Sequence, residues 1–191
     1  MTRNTLLNAE TLGAARGERV LFTALNVHLE SGEILFLKGK NGTGKTTLLR
    51  QLAGLSEPQA GQIKRFKPHH WIGHTNGLKL HETPRTHLRH WARVWGSQAD
   101  LDLILRLMGL ERPADVPVGM LSAGQKRRTA LGRLFLSDRH IWLLDEPFNA
   151  LDVEGQSLLS DMIRQHCKTG GGLIAALHGD APIEADREVV L

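Results

Sequence analysis

The stretch Glu33-Ile34-Leu35-Phe36-Leu37-Lys38-Gly39-Lys40-Asn41-Gly42-Thr43-Gly44-Lys45-Thr46-Thr47-Leu48-Leu49 decides the fold. Its first six residues form a short apolar run bounded by Gly32 and Gly39, the pattern of a buried strand. Gly39–Thr46 then fits G-x-x-x-x-G-K-[ST] at every fixed position. From Gly44 to Ala53 the spacing becomes helical, and Gly54 is a natural stop. Glycines at these positions let the backbone curl until successive N–H groups point inward. That nest, joined to the N-terminus of the following helix, is a site for phosphate oxygens. Lys45 is expected to reach the β- and γ-phosphates, and Thr46 to offer its hydroxyl to Mg²⁺. The expected nucleotide-binding set is Gly39, Lys40, Asn41, Gly42, Thr43, Gly44, Lys45, Thr46 and Thr47.

Composition agrees with a globular chain. Of 191 residues, 41% are apolar and 23% charged, which leaves no room for disorder or a coiled coil as the overall description. The length suits one domain, expected to span 1–191. Cys167 is the single cysteine, so an internal disulfide and a cysteine-based zinc site are both excluded. No apolar run approaches the ~20 residues that span a bilayer. The opening residues lack the apolar core of a signal peptide. The net charge of +4 is small and spread along the chain, so no nucleic-acid footprint is expected.

Working outward from the loop, Val20–Leu29 alternates as a strand, and Gln62–Lys64 and Trp71–Gly73 are short strand candidates. Thr83-Pro84 starts a helix running to about Trp95. Asp100 caps a helix over Leu101–Met108, and Ser122 caps another through about Phe135. Ile141–Leu144 and Leu173–Leu177 read as buried strands around a helix at Val153–Cys167. Alternating strands and helices predict an α/β sheet, and the mostly helical block predicts a separate lobe over about 75–136.

The strand Ile141–Leu144 runs into Asp145 and Glu146. In a parallel sheet such ends open onto the ligand crevice. Asp145 is expected to hold the Mg²⁺ shell with Thr46, and Glu146 to orient and deprotonate an attacking water. Leu121-Ser122-Ala123-Gly124-Gln125 lies between the phosphate loop and this strand. On its own it is only a serine-capped helix start. In this order it resembles the signature sequence of ATP-binding cassette (ABC) proteins. Phe148-Asn149-Ala150-Leu151-Asp152 resembles their D-loop, and His178 resembles their switch histidine, although a lone histidine after a strand is ordinarily plain surface.

The resemblance covers about residues 6–180 and implies an ABC-type P-loop ATPase. Its fold would have a RecA-like core, a small antiparallel β part and an α-helical lobe. It also implies a head-to-tail homodimer sandwiching two ATP molecules. Leu121, Ser122, Ala123, Gly124 and Gln125 would act on the partner's ATP, Asp152 would serve the D-loop, and Glu146 and His178 would be catalytic. The short chain, LSAGQ followed by Lys126-Arg127-Arg128, and Trp71-Ile72-Gly73-His74 before Gly77-Leu78-Lys79 give a narrower resemblance. They are similar to the ATPase subunits of bacterial cytochrome c maturation. That resemblance implies integral membrane subunits of a haem-handling complex as partners, and a peripheral position on the cytoplasmic face of the inner membrane. The alternatives are the ATPase of another small-molecule exporter and a soluble non-transport ABC ATPase.

Three features depart from the family. Thr75 stands where a glutamine is usual, with His74 and Asn76 beside it. The chain has no tyrosine, so Arg16 is the candidate to stack on adenine, or else a solvated arginine. Lys40 adds a cation to the phosphate loop. Six histidines fall between His69 and His90, with Trp71, Trp91 and Trp95 nearby. They are read as surface histidines and core tryptophans, not as a haem site. Lys126–Arg128 is read as a solvated helix face, Lys64–Lys67 as a basic turn, and Leu78, Leu80 and Leu88 as apolar candidates for a partner contact.

Overall fold

A computed structural model describes residues 4–191. Eight strands and five helices follow in the order β1 (Thr5–Arg16), β2 (Arg19–Glu30), β3 (Ile34–Lys38), α1 (Lys45–Leu52), β4 (Ala60–Arg65), β5 (His69–Ile72), α2 (Pro84–Val94), α3 (Leu101–Leu107), α4 (Ala123–Leu131), β6 (Ile141–Asp145), α5 (Val153–Lys168), β7 (Gly172–Ala176) and β8 (Arg187–Val190). They fall into two compact units. One contains Arg139–Pro147, Leu159–Leu191 and the chain up to Gly73; the other contains His74–Asp138 and Phe148–Leu158.

The first unit holds both sheets. Five parallel strands run in the order β5-β6-β7-β3-β8, and three antiparallel strands in the order β2-β1-β4. Position in the sheet explains the sequence of each strand. The inner strands IWLLD and GLIAA are buried at every residue, because both faces of a central parallel strand are covered. The edge strands HHWI and REVV alternate, because one face is less covered. Leu48, Leu49 and Leu52 of α1 join Leu35, Leu37, Ile141, Leu143 and Ile174 in one core, together with Leu6, Leu7 and Leu12 of β1.

Two strands are absent from the sequence reading. In β1, register shifts on either side of Leu12 break the alternation. Thr11 there has φ 50°, and its N–H is taken by Asn26 Oδ1 at 2.8 Å, as a bulge requires. Opposite, Gly61 has φ +85°, and a Cβ at that position would lie 2.2 Å from the Glu10 carbonyl oxygen, so the bulged strand admits only glycine. β8 is four residues long, too short for its period to show.

The second unit is helical. Thr83 caps α2, accepting from the Thr86 N–H, with Pro84 in the first turn. Asp100 caps α3, accepting from the N–H groups of Asp102 and Leu103. Leu88, Ile104, Leu105, Met108, Ala130 and Leu131 are buried in it. A Cβ at Gly132 would stand 3.2 Å from a Leu88 methyl, so glycine lets the chain approach α2. The expected helix through Phe135 is α4 to Leu131, followed by a 3₁₀ turn over Gly132–Phe135.

Several side-chain expectations need correction. Lys126–Arg128 is no solvated face: Arg127 is 2% exposed and donates to Asn76 Oδ1 at 2.8 Å, and Arg128 pairs with Asp152. Lys64 and Arg65 lie in β4 rather than a turn, and the Arg65 guanidinium donates to the Leu52 and Gln51 carbonyls, closing the C-terminus of α1. Among the six histidines, His70 and His87 are buried, while Trp71, Trp91 and Trp95 are half-buried rather than core. Leu88 is fully buried and has no face for a partner.

Candidate nucleotide-binding site

The loop Gly39–Gly44 leaves β3 at its C-terminal end and enters α1. Gly39, Gly42 and Gly44 have φ of 143°, 81° and 113°. Gly44 is constrained twice, since a Cβ there would also press to 3.1 Å from Leu21 and the Phe22 ring. Gly44 is the N-cap of α1; no side chain caps it, and its first turn carries no acid. A helix start in that condition presents its N–H groups and the positive end of its dipole to an anion. Lys45 is 7% exposed, and its ammonium bridges the loop, donating to the carbonyls of Gly39 at 2.7 Å and Lys40 at 3.1 Å. Thr43 Oγ1 donates to the Lys40 carbonyl at 3.0 Å, tightening the turn. The side chains of Lys40 and Asn41 are exposed on the loop, and Thr47 is half-buried in the first turn of α1.

Order in the sheet brings the acids to this loop. β6, β7 and β3 are successive neighbours, so their C-terminal ends share one edge. Asp145 ends β6, is 1% exposed, and its carboxylate accepts from Thr46 Oγ1 at 3.0 and 3.2 Å. A hydroxyl and a carboxylate, both hard oxygen donors, suit a small divalent cation such as Mg²⁺. Glu146 follows with φ 48°, its N–H donating to the Ala176 carbonyl of β7 at 2.9 Å. A left-handed non-glycine residue is strained, and such strain gathers at functional positions. His178 is exposed just past β7. Arg16 ends β1, exposed in the hairpin opposite Arg19.

The other predicted residues lie in the helical unit. Leu121 is buried, and Ser122 and Ala123 are exposed at the start of α4. Ser122 Oγ accepts from the Gln125 N–H at 3.2 Å, and Gln125 Oε1 accepts from the Ser122 N–H at 3.0 Å, a reciprocal capping box. A Cβ at Gly124 would fall 2.9 Å from the Ala150 carbonyl oxygen, so this glycine admits the backbone that leads to Asp152. Asp152 accepts from the Gly155 N–H at 2.9 Å and pairs with Arg128; those two hydrogen bonds hold its carboxyl below the usual range. Thr75 is exposed, its carbonyl taken by the Gly77 N–H at 2.7 Å. Asn76 is left-handed at φ 61°; its side-chain carbonyl accepts from Arg127, and its backbone carbonyl from Arg133 at 3.1 Å. The reading of the sequence missed these two arginines, since nothing distinguishes Arg127 within a basic run or Arg133 within a helix.

A strand, a glycine loop closed by Lys45-Thr46, and an acidic end on a neighbouring parallel strand define a P-loop nucleoside triphosphatase. The ABC transporter family model matches residues 22–149. A cytochrome c biogenesis ATP-binding export protein, CcmA, of Hyphomonas neptunium is 53% identical over 186 residues, covering 97% of this chain and 96% of its own. The protein of the same name from Escherichia coli is 42% identical over 185 residues, covering 91% of this chain and 89% of its own. A solved ATP-binding subunit of an ABC transporter superposes with a TM-score of 0.80 at 25% identity, over 91% of this chain and 79% of that one. The chain belongs to the ABC transporter family, with the cytochrome c biogenesis ATP-binding export proteins as its relatives. It is an ATP-binding subunit that hydrolyses ATP. Among the described residues no helix is long and apolar enough to cross a membrane.

Proposed function

We propose that this chain couples ATP hydrolysis to haem handling in cytochrome c maturation, as one of two copies held by integral membrane subunits on the cytoplasmic face of the inner membrane. The whole chain would form a single ATP-binding domain, with the helical unit as its lobe. The observation that carries the chemistry is the Thr46–Asp145 contact beside the phosphate loop. The place in cytochrome c maturation rests on the Hyphomonas neptunium relative, named for cytochrome c biogenesis and export, and haem as the cargo rests on the family resemblance alone. In this reading Gly39–Thr47 cradle the triphosphate, Lys45 exchanges its carbonyl partners for β- and γ-oxygens, and Arg16 stacks on adenine. Thr46 and Asp145 hold Mg²⁺, which would neutralise charge on the phosphates. Glu146 accepts the proton of the water that attacks the γ-phosphorus, while the bond from that phosphorus to the β–γ bridging oxygen breaks and ADP leaves with the bonding pair. His178 contacts the γ-phosphate. Leu121–Gln125 of the second copy close the site through their helix start, and Asp152 lies in the adjoining D-loop.

Glu146→Gln tests this directly. The variant should bind ATP normally, lose turnover by about a hundredfold or more, and accumulate as an ATP-bound dimer in size-exclusion chromatography. Lys45→Ala should instead weaken ATP binding itself. A Glu146→Gln protein with normal turnover ends the assignment of the base.

A further inference from the structure

Lys38 closes β3 and directly precedes Gly39 of the phosphate loop. The matching run of this strand is otherwise apolar, Ile34-Leu35-Phe36-Leu37, so a cation at its end calls for a reason. The side chain is 24% exposed, and its ammonium stands 5.9 Å from the centroid of the Phe36 ring. The ammonium donates to the Gly179 carbonyl at 2.9 Å and stands 3.7 Å from Glu188 Oε1.

Gly179 is the residue after His178. The β3–β7 pairing ends with the Leu177 N–H on the Leu37 carbonyl at 3.1 Å. Beyond it the chain turns through exposed His178, Gly179 and Asp180, with Gly179 at φ +85°. A Cβ at Gly179 would meet nothing within 4 Å, so its glycine serves conformation alone.

We propose that Lys38 is a positioning residue for His178, its ammonium clamping the Gly179 carbonyl so that the histidine loop is tied to the strand that carries the phosphate loop. The proposal rests on the reading above that His178 acts at the γ-phosphate. A charge-assisted hydrogen bond is stronger than a neutral one and resists water better when partly desolvated. The entropy of ordering a lysine is offset in part by the approach of the ammonium to the Phe36 ring and by Glu188. Without the clamp, an exposed turn pivoting on a left-handed glycine would sample several placements, and a catalytic group misplaced by ~1 Å can cost about a hundredfold. Lys38 is not aimed as Lys45 is: Lys45 lies on the Gly39 and Lys40 carbonyls inside the loop, whereas Lys38 lies on Gly179 and Glu188.

The test is steady-state ATPase of the full chain as Lys38→Met, Lys38→Arg, His178→Ala and Lys38→Met with His178→Ala. Lys38→Met should lower kcat about tenfold with the KM for ATP within about twofold, and Lys38→Arg, which keeps a donor, should restore most of the loss. In the His178→Ala background, Lys38→Met should change kcat by less than about twofold. Gly179→Ala, which strains the turn and leaves the charge in place, should reproduce the kcat loss if Lys38→Met folds poorly. Full multiplicative losses in the double variant, or a raised KM with kcat kept, would overturn the proposal while leaving the assignment of His178 intact. Wild-type turnover in His178→Ala would end that assignment and the clamp with it.

Discussion

Asp145 and Glu146 are adjacent carboxylates in opposite settings. Asp145 is a strand residue, buried and hydrogen-bonded to Thr46, which fits the holding of a cation. Glu146 is half-buried and left-handed, lifted off the strand by one residue, which fits a group that must meet water. Thr75 sets a third condition. A threonine is about two bonds shorter than the glutamine usual there, and Asn76, which could otherwise compensate, has its side-chain carbonyl engaged by Arg127. If this loop serves the attacking water as the proposed function has it, that water should be poorly positioned and basal hydrolysis slow. Thr75→Gln should raise the basal rate of the isolated chain by about tenfold, and Thr75→Val should leave it within about twofold. If Thr75→Val abolishes turnover while ATP still binds, the hydroxyl is itself a ligand.

Helix α2 carries two buried residues whose loss can be measured. Leu88 is fully buried and touches the close approach at Gly132, so Leu88→Ala should destabilise the chain by about 2–5 kcal/mol, read in urea unfolding. His87, one residue earlier, has its pKa lowered to about 4, first by burial and then by Arg133; His90 and Lys79 push the same way and Glu82 opposes them. The sign follows from proton counting. Between pH 6.5 and about 4 the unfolded chain binds a proton at this residue that the folded chain refuses, so its contribution is intact above pH 6.5 and is lost as pH falls through that window. Acid should cost up to about 3 kcal/mol through His87. His87→Phe should flatten the fall in unfolding free energy between pH 7 and pH 4.5; an unchanged slope would show that other groups set it.

For the whole molecule, recruitment to membrane subunits is the property to measure. Leu80 and Met120 are 66% and 78% exposed on segments joined by the Gly119 N–H to the Leu80 carbonyl at 2.8 Å. Arg89 is exposed on α2. Arg85, an equal candidate by sequence, is instead committed to Asp102 and Asp115 within its own unit, so reversing it would loosen the fold. Arg89→Glu, and Leu80→Asp independently, should each lower the membrane-bound fraction by about fivefold with ATP affinity unchanged. Partner crosslinks gathered at Arg65 or the C-terminus would move the contact elsewhere.

What the sequence determined by itself was whatever depends on local backbone chemistry. Gly39, Gly42 and Gly44 require φ values open to glycine, Ser122 and Asp100 cap the helices that follow them, and IWLLD carries its burial on both faces in its composition. These requirements act over a few residues, so they were legible before any fold was known. Tertiary structure alone decided the partners. β1 was hidden because a bulge breaks its period, and Arg65 became a helix cap because β4 passes the end of α1. Leu88 went inside because Gly132 lets the chain close on it. Arg127, indistinguishable from Lys126 and Arg128 in the sequence, was buried because the left-handed Asn76 offered it a carbonyl from a loop fifty-one residues away. A guanidinium is solvated or buried according to what the rest of the chain brings beside it, and that is set by packing at long range in sequence.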